Sequence, residues 1–138
     1  LIDEPIKRKR SDPTSFTVDE TGRKATTGYK IEETWRYISN VRFYPKTGRT
    51  HQIRVHAAHM GHPIVADQKY GGGENRTKGF LPEVTRELHQ VLTMLERHAL
   101  HAMSLEFVHP ETAKTVSFQA PLPQDFNDSI TFLNEKYG

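Results

Sequence analysis

Cysteine is absent from this sequence, which excludes disulfides and thiolate metal sites and fits a reducing compartment. No apolar run approaches the roughly 18 residues that mark a membrane-spanning helix. The chain opens Leu1-Ile2-Asp3, with no charged-then-apolar leader in view. The expected setting is therefore cytoplasmic, with no membrane partner. Internal repeats and low-complexity tracts are also missing. At 138 residues, with 35% hydrophobic and 26% charged, what remains reads as one soluble domain or part of one, long enough to bury a real core.

The net charge of +2 conceals an asymmetry. Residues 1–60 carry twelve Lys/Arg against seven Asp/Glu, a balance of +5, whereas residues 61–138 carry seven against ten, a balance of −3. A basic half suits a polyanionic partner, because neutralising phosphates releases counterions. Taken alone, Lys7-Arg8-Lys9-Arg10 reads equally well as a solvated turn.

Residues 1–23 read as an extended, looping lead-in punctuated by Pro5, Pro13 and Gly22. From Ala25 the pattern has period two. Tyr29, Ile31 and Trp35 share one parity against Lys30, Glu32, Thr34 and Arg36, which predicts a strand with one buried face. A break near Ser39-Asn40 is followed by Val41 and Phe43, the expected return strand of a hairpin. Pro45-Lys46-Thr47-Gly48 is a turn. A short helix is expected from about Gln52 to Met60, stopped by Gly61. Pro82 opens a second helix, with Val84, Leu88, Val91, Leu92 and Leu95 at amphipathic spacing. Leu100 to Val108 alternates, placing Met103, Leu105 and Phe107 on one face, and Val116, Phe118 and Ala120 answer from a partner strand. A short helix after Pro123, with Phe126, Ile130 and Leu133, closes the chain. The fold class is α+β, with a mixed, largely antiparallel sheet and a few flanking helices.

The run Thr47-Gly48-Arg49-Thr50-His51-Gln52-Ile53-Arg54-Val55-His56 packs two arginines, two histidines, a glutamine and two threonines behind one glycine. An ordinary core segment would not concentrate hydrogen-bonding groups in this way. The run resembles the second signature block of the RluA-type pseudouridine synthases, which isomerise uridine in ribosomal and transfer RNA. Further blocks follow in the same order: Gly61-His62-Pro63-Ile64 with Asp67 and Tyr70-Gly71, then Leu100-His101-Ala102 with Leu105, Phe107, His109 and Pro110, then Ala120-Pro121-Leu122-Pro123 with Phe126. Upstream, Pro5-Ile6 and Gly22-Arg23-Lys24-Ala25-Thr26-Thr27 also resemble the family. Ala66 stands where the family usually has glycine. The resemblance implies that residues 1–138 are the C-terminal portion of a single pseudouridine synthase catalytic domain. The family's His-Arg-Leu-Asp block, which supplies the nucleophile, and the tyrosine that packs on the target base have no counterpart among these residues. Asp3, Asp12, Asp19, Asp67, Asp125 and Asp128 lie in other contexts, and none is promoted to nucleophile.

The reaction that this resemblance implies breaks the N1–C1′ bond, turns the uracil and rejoins it through C5, without a cofactor. The base must first leave its stack, at a cost of a few kcal/mol. A carboxylate nucleophile in a dry cleft needs a cation to stay ionised and aimed, and an arginine fork does this better than lysine. Arg54 matches the family arginine that pairs with that aspartate and is the candidate catalytic residue. On the expected helix it shares a face with Ala57, Ala58 and Gly61, small residues that let another backbone approach. Arg49, His51 and Gln52 are candidate substrate-binding residues at the lip of the turn, although His51 and Gln52 serve equally well as ties between turn and sheet. Leu100 has the opposite parity to Met103, Leu105 and Phe107, and the resemblance places it under the flipped base. Lys69 and Tyr70 flank a block read mainly as structural.

His51, His56, His59 and His62 fall within twelve residues, but no carboxylate or cysteine lies among them and their spacing suits no zinc motif. No metal is expected. Three functions remain open from the sequence: an RNA pseudouridine synthase acting through a nucleophile outside these residues, a catalytically inert RNA-binding module derived from that fold, and a metal-dependent hydrolase. Structured RNA is the expected partner for the first two.

Overall fold

The computed structural model describes residues 1–138. Its longest feature is an antiparallel hairpin, β4 (Thr26–Trp35) and β5 (Ile38–Pro45), joined at Arg36-Tyr37 because Trp35 pairs with Ile38. The turn thus falls before the expected break at Ser39-Asn40. β1 (Ile2–Asp3) adds to the other edge of β4, giving the order β1-β4-β5. The lead-in is more regular than its prolines suggest. β2 (Ile6–Arg8) pairs with β3 (Phe16–Val18), so the basic run continues a strand into its turn. β6 (Ser104–Val108) and β7 (Thr115–Gln119) form a third, separate antiparallel ribbon.

Helix α1 runs Gln52–His59 and stops where the sequence predicts. Gly61 takes φ +83, and the amides of Gly61 and His62 donate to Ala58 O and Ala57 O at 3.0 Å each, a Schellman closure that satisfies otherwise orphaned carbonyls. Helix α2 (Pro82–Met94) starts on its proline and buries Val84, Leu88 and Val91, one residue per turn of the face that the spacing marks. Helix α3 (Gln124–Tyr137) is longer than expected, at 14 residues, and buries Ser129, Phe132 and Leu133. The α+β reading with a largely antiparallel sheet therefore holds. No helix is long and apolar enough to cross a membrane.

The core lies in two pieces. Trp35, Val91, Leu95, Phe132 and Leu133 join the end of β4 to α2 and α3, and the indole Nε1 of Trp35 donates to Asn134 Oδ1 at 2.8 Å. Ile6, Ala25 and Val55 form a smaller cluster beneath α1. Two expected core faces stay open. Tyr29 and Ile31 are exposed although they share parity with buried Trp35. A bulge between Ile31 and Glu33 re-aims the strand, so that only its far end meets α2 and α3. Met103, Leu105 and Phe107 are likewise exposed, at 40, 61 and 41%, as is Phe118. Leu105 pairs with Phe118 and Phe107 with Val116 across the ribbon, as the alternation predicts, yet Leu105, Phe107 and Phe118 stay exposed.

Exposed apolar faces attract one another. The 138-residue chain is expected to self-associate with rising concentration in sedimentation velocity, and Leu105→Glu combined with Phe118→Glu is expected to shift it toward monomer. A concentration-independent monomer for the unsubstituted chain would contradict this.

Candidate active site

The turn before α1 is held by a side chain inside the fold. Gln52 is 5% exposed, and both ends of its amide are committed. Oε1 accepts from Thr47 Oγ1 at 2.7 Å and from the Arg49 amide at 3.0 Å, while Nε2 donates to Thr26 O at 2.9 Å and to Thr27 Oγ1 at 3.0 Å. Four bonds exhaust a carboxamide, so Gln52 has no capacity left for a ligand in this arrangement. Of the two roles open to it in the sequence, the tie between turn and sheet is the one its bonds describe.

Thr27 and His56, both 0% exposed, extend this network. The Thr27 hydroxyl receives the Gln52 proton and gives its own to His56 Nδ1 at 2.8 Å, and His56 Nε2 donates to Glu4 O at 2.8 Å. This proton assignment follows from the carbonyl and the carboxamide, whose roles are fixed. α1 is thereby bolted to β4 and to the segment after β1.

His51 precedes α1 in a left-handed conformation, φ 55 and ψ 22. Its Nδ1 lies 2.7 Å from the Tyr70 hydroxyl, whose oxygen accepts the Phe16 amide at 3.1 Å. The phenol proton is then available to Nδ1, leaving Nε2–H as a free donor. Burial holds the His51 pKa below its ordinary value of 6.5; the Arg54 and Lys69 cations push the same way and Asp67 opposes them. Phe16 and Tyr70 each meet the imidazole edge-on, with centroids at 5.6 Å.

Arg54 points from the other side of α1 and finds Asp67. Nε donates to Oδ2 and Nη2 to Oδ1, both at 2.9 Å, a bidentate fork. Asp67 is 2% exposed, and the Arg54 guanidinium also lies 4.9 Å from the centre of the Tyr70 ring. The carboxylate hydrogen bonds raise the arginine's pKa further, against the opposing effect of burial. Nη1 makes no hydrogen bond within the chain. Within the chain the carboxylate on Arg54 is Asp67, a neighbour not expected from the sequence, where the resemblance implies a carboxylate from elsewhere. The available signal was the block Gly61-His62-Pro63-Ile64 to Asp67.

The loop that delivers Asp67 is tightly closed. Ala66 N donates to Gly72 O at 2.8 Å and Gly72 N to Asp67 O at 2.7 Å. A Cβ on Gly72 would stand 1.8 Å from Ile64 O, so only glycine fits. Ala66 itself sits at φ 66, a conformation in which glycine would be unstrained.

Arg54 and Asp67 line an open cavity of about 440 Å³ together with Lys69, Arg97 and His98. Burial, then the Arg54 charge, lowers the His98 pKa. Leu95 to His98 reach the cavity beside the end of α2, whereas Leu100 is half-buried and lies outside the lining. Arg49 is not among the residues lining this cavity; its Nε donates to Lys24 O at 2.8 Å. The four clustered histidines do not converge: His51 and His56 are engaged as described and His59 and His62 are exposed. No three metal-ligating side chains gather anywhere in the chain.

Three bacterial relatives of this sequence share a single description. Ribosomal large subunit pseudouridine synthase D of Pasteurella multocida is 39% identical over 137 residues, 99% of this chain and 41% of that protein. The synthases D of Vibrio cholerae and Salmonella typhimurium are 39 and 41% identical over 98 and 99% of the chain. The chain is homologous to pseudouridine synthases. It spans about two fifths of the length of the curated relatives it matches. No family model matches the chain. Human RNA pseudouridylate synthase domain containing 1 and domain containing 4 share its fold, with TM-scores of 0.63 and 0.67 at 23 and 24% identity. Each alignment covers 96% of this chain, and 58 and 55% of the respective neighbour.

Two outcomes are expected for this pseudouridine synthase homologue. Thr27→Val would strand the buried Nδ1 of His56 and one donor of Gln52, at a cost of about 1–3 kcal/mol; a shift below roughly 0.5 kcal/mol in urea unfolding would refute the hub. His51 should titrate below 6.5 by NMR. A pKa depressed in the folded state means that the unfolded chain binds the proton better. Stability is therefore fully present above pH 6.5 and declines as pH falls toward the folded-state value. A measured value above 6.5 would reverse that sign.

Proposed function

We propose that residues 1–138 form the C-terminal portion of a single pseudouridine synthase catalytic domain, acting on structured RNA in the cytoplasm. The observation that carries this reading is the unpaired Nη1 of Arg54. Asp67 fixes the guanidinium through Nε and Nη2, and the remaining edge belongs to a residue that lines a cavity. A planar fork can hold one carboxylate on its side and present further donors to a second. The second is the nucleophilic aspartate, supplied from outside residues 1–138.

In this reading Arg54 keeps the nucleophile ionised, since a neighbouring cation favours the charged form. It also aims the nucleophile at a uridine extruded into the cleft. The carboxylate attacks C1′ as the N1–C1′ bond breaks, the uracil turns, and C5 displaces the carboxylate from C1′; the C5 proton is lost and N1 gains one, so the enzyme is regenerated and the net change is an isomerisation with no co-reactant. Lys69, Arg97 and the Nε2–H of His51 provide donors for the displaced strand. Leu100 supports the base from beyond the cavity lining, and Arg49 engages the backbone. Gln52 serves as the bolt that keeps Arg49 and α1 in place. The relatives' name specifies the large ribosomal subunit, so ribosomal RNA is the favoured substrate, ahead of transfer RNA.

The test is tritium release from C5-labelled uridine in ribosomal RNA by the intact gene product, with and without Arg54→Ala. Removing one partner of a buried pair costs about 3–5 kcal/mol, or roughly two to nearly four orders of magnitude in rate. Loss on that scale supports the assignment. No release from the unsubstituted protein on either ribosomal or transfer RNA would favour an inert RNA-binding module.

A further inference from the structure

A second concavity, of about 150 Å³, opens on the other flank of the turn and shares no lining residue with the Arg54 cavity. Ile6 and Phe16 give it an apolar lining, and Arg23, Gly48, Arg49 and Thr50 complete it. Two of its six residues are arginines and none is acidic.

Both cations are placed by the fold. Ile6 and Arg23 exchange a reciprocal pair of backbone hydrogen bonds at 2.9 Å. Gly22 permits this approach, because a Cβ there would lie 2.6 Å from the Ile6 carbonyl. The Arg23 side chain has no hydrogen-bond or ion-pair partner within the chain. Arg49 is pinned by its backbone amide on Gln52 and by Nε on Lys24 O, leaving both terminal nitrogens free. Gly48 leaves the turn backbone open, with no atom near where a Cβ would stand. The Arg8 guanidinium adds a third cation, 5.3 Å from the centre of the Phe16 ring.

Two like charges around one small concavity, without a carboxylate, leave a charge deficit that an anion fills. The apolar lining asks for more than a bare anion. We propose that this concavity is a second RNA-backbone site, gripping one phosphodiester between Arg23 and Arg49 with the adjoining sugar against Phe16. It rests on the reading of the chain as part of an RNA-modifying enzyme and adds a contact remote from the chemistry. A row of rings, Phe16, His51 and Tyr70, leads from it to Arg54, so the strand can be held at one end of the row while its uridine is treated at the other.

The experiment is fluorescence anisotropy of a labelled ribosomal RNA fragment on the intact gene product, across a range of potassium chloride. Arg23→Ala should reduce the slope of log K against log salt by about 0.7–0.9, the share of one phosphate contact. Arg23→Lys should keep the slope, as should Arg86→Ala on the exposed side of α2. In tritium release, Arg23→Ala should raise KM and leave kcat in place. An unchanged slope in Arg23→Ala, with the unsubstituted protein binding RNA, overturns the second site and leaves the proposed function standing. Failure of the unsubstituted protein to bind RNA overturns both. Inorganic phosphate separates the two sources of the anion: displacement of bound phosphate by Arg23→Ala with no change in the RNA slope would make this a free-anion site and sink the proposal.

Discussion

The buried hydroxyl of Thr27 is the constraint on which the site depends. It takes a proton from Gln52 and gives one to His56, and through them it reaches the Thr47 to Arg49 turn, the Glu4 carbonyl and the whole of α1. Polar groups this deeply buried must be satisfied or they cost heavily, and here no buried side-chain polar atom lacks a partner. The result is directional. Apolar contacts tolerate sliding, whereas a chain of donors and acceptors admits one register of helix against strand. That register fixes where Arg49 and Arg54 emerge.

This explains how a chain with only 22 of its 138 residues buried can still carry an ordered site. The larger apolar cluster, around Trp35 and Phe132, fastens the two long helices to the far end of β4. The motif is held by a three-residue apolar cluster and the polar network. Order at the site is therefore uncoupled from the exposed faces of β4 and β6.

Elements whose signals are local were legible in the sequence. Gly61 as a helix stop, Pro82 as a start, and the face of Val84, Leu88 and Val91 each follow from backbone chemistry or period alone. Burial was less legible. Tyr29, Ile31, Leu105 and Phe107 alternate as half-buried residues do, but alternation records only that a face is apolar, not whether anything within the same chain covers it. The Arg54 to Asp67 pair was not legible from periodicity: the partners are thirteen residues apart on a helix and an irregular loop, and only the block that carries Asp67 signals it. Gln52 showed its polarity and concealed its burial. A glutamine inside a polar motif reads as a ligand contact until the fold shows that its amide is already spoken for.

The loop that brings Asp67 to Arg54 has a genetic consequence. Gly72 touches neither side chain of the pair, yet the carbonyl of Ile64 leaves no space for any larger residue there, and its amide closes on Asp67 itself. A change at Gly72 therefore displaces the counter-ion of Arg54 through the backbone, without touching either side chain. Groups that act as a unit give non-additive effects: once Gly72 is altered, a further substitution at Asp67 has little left to remove. The two positions meet only through their backbones, yet substitutions at either act on the same ion pair.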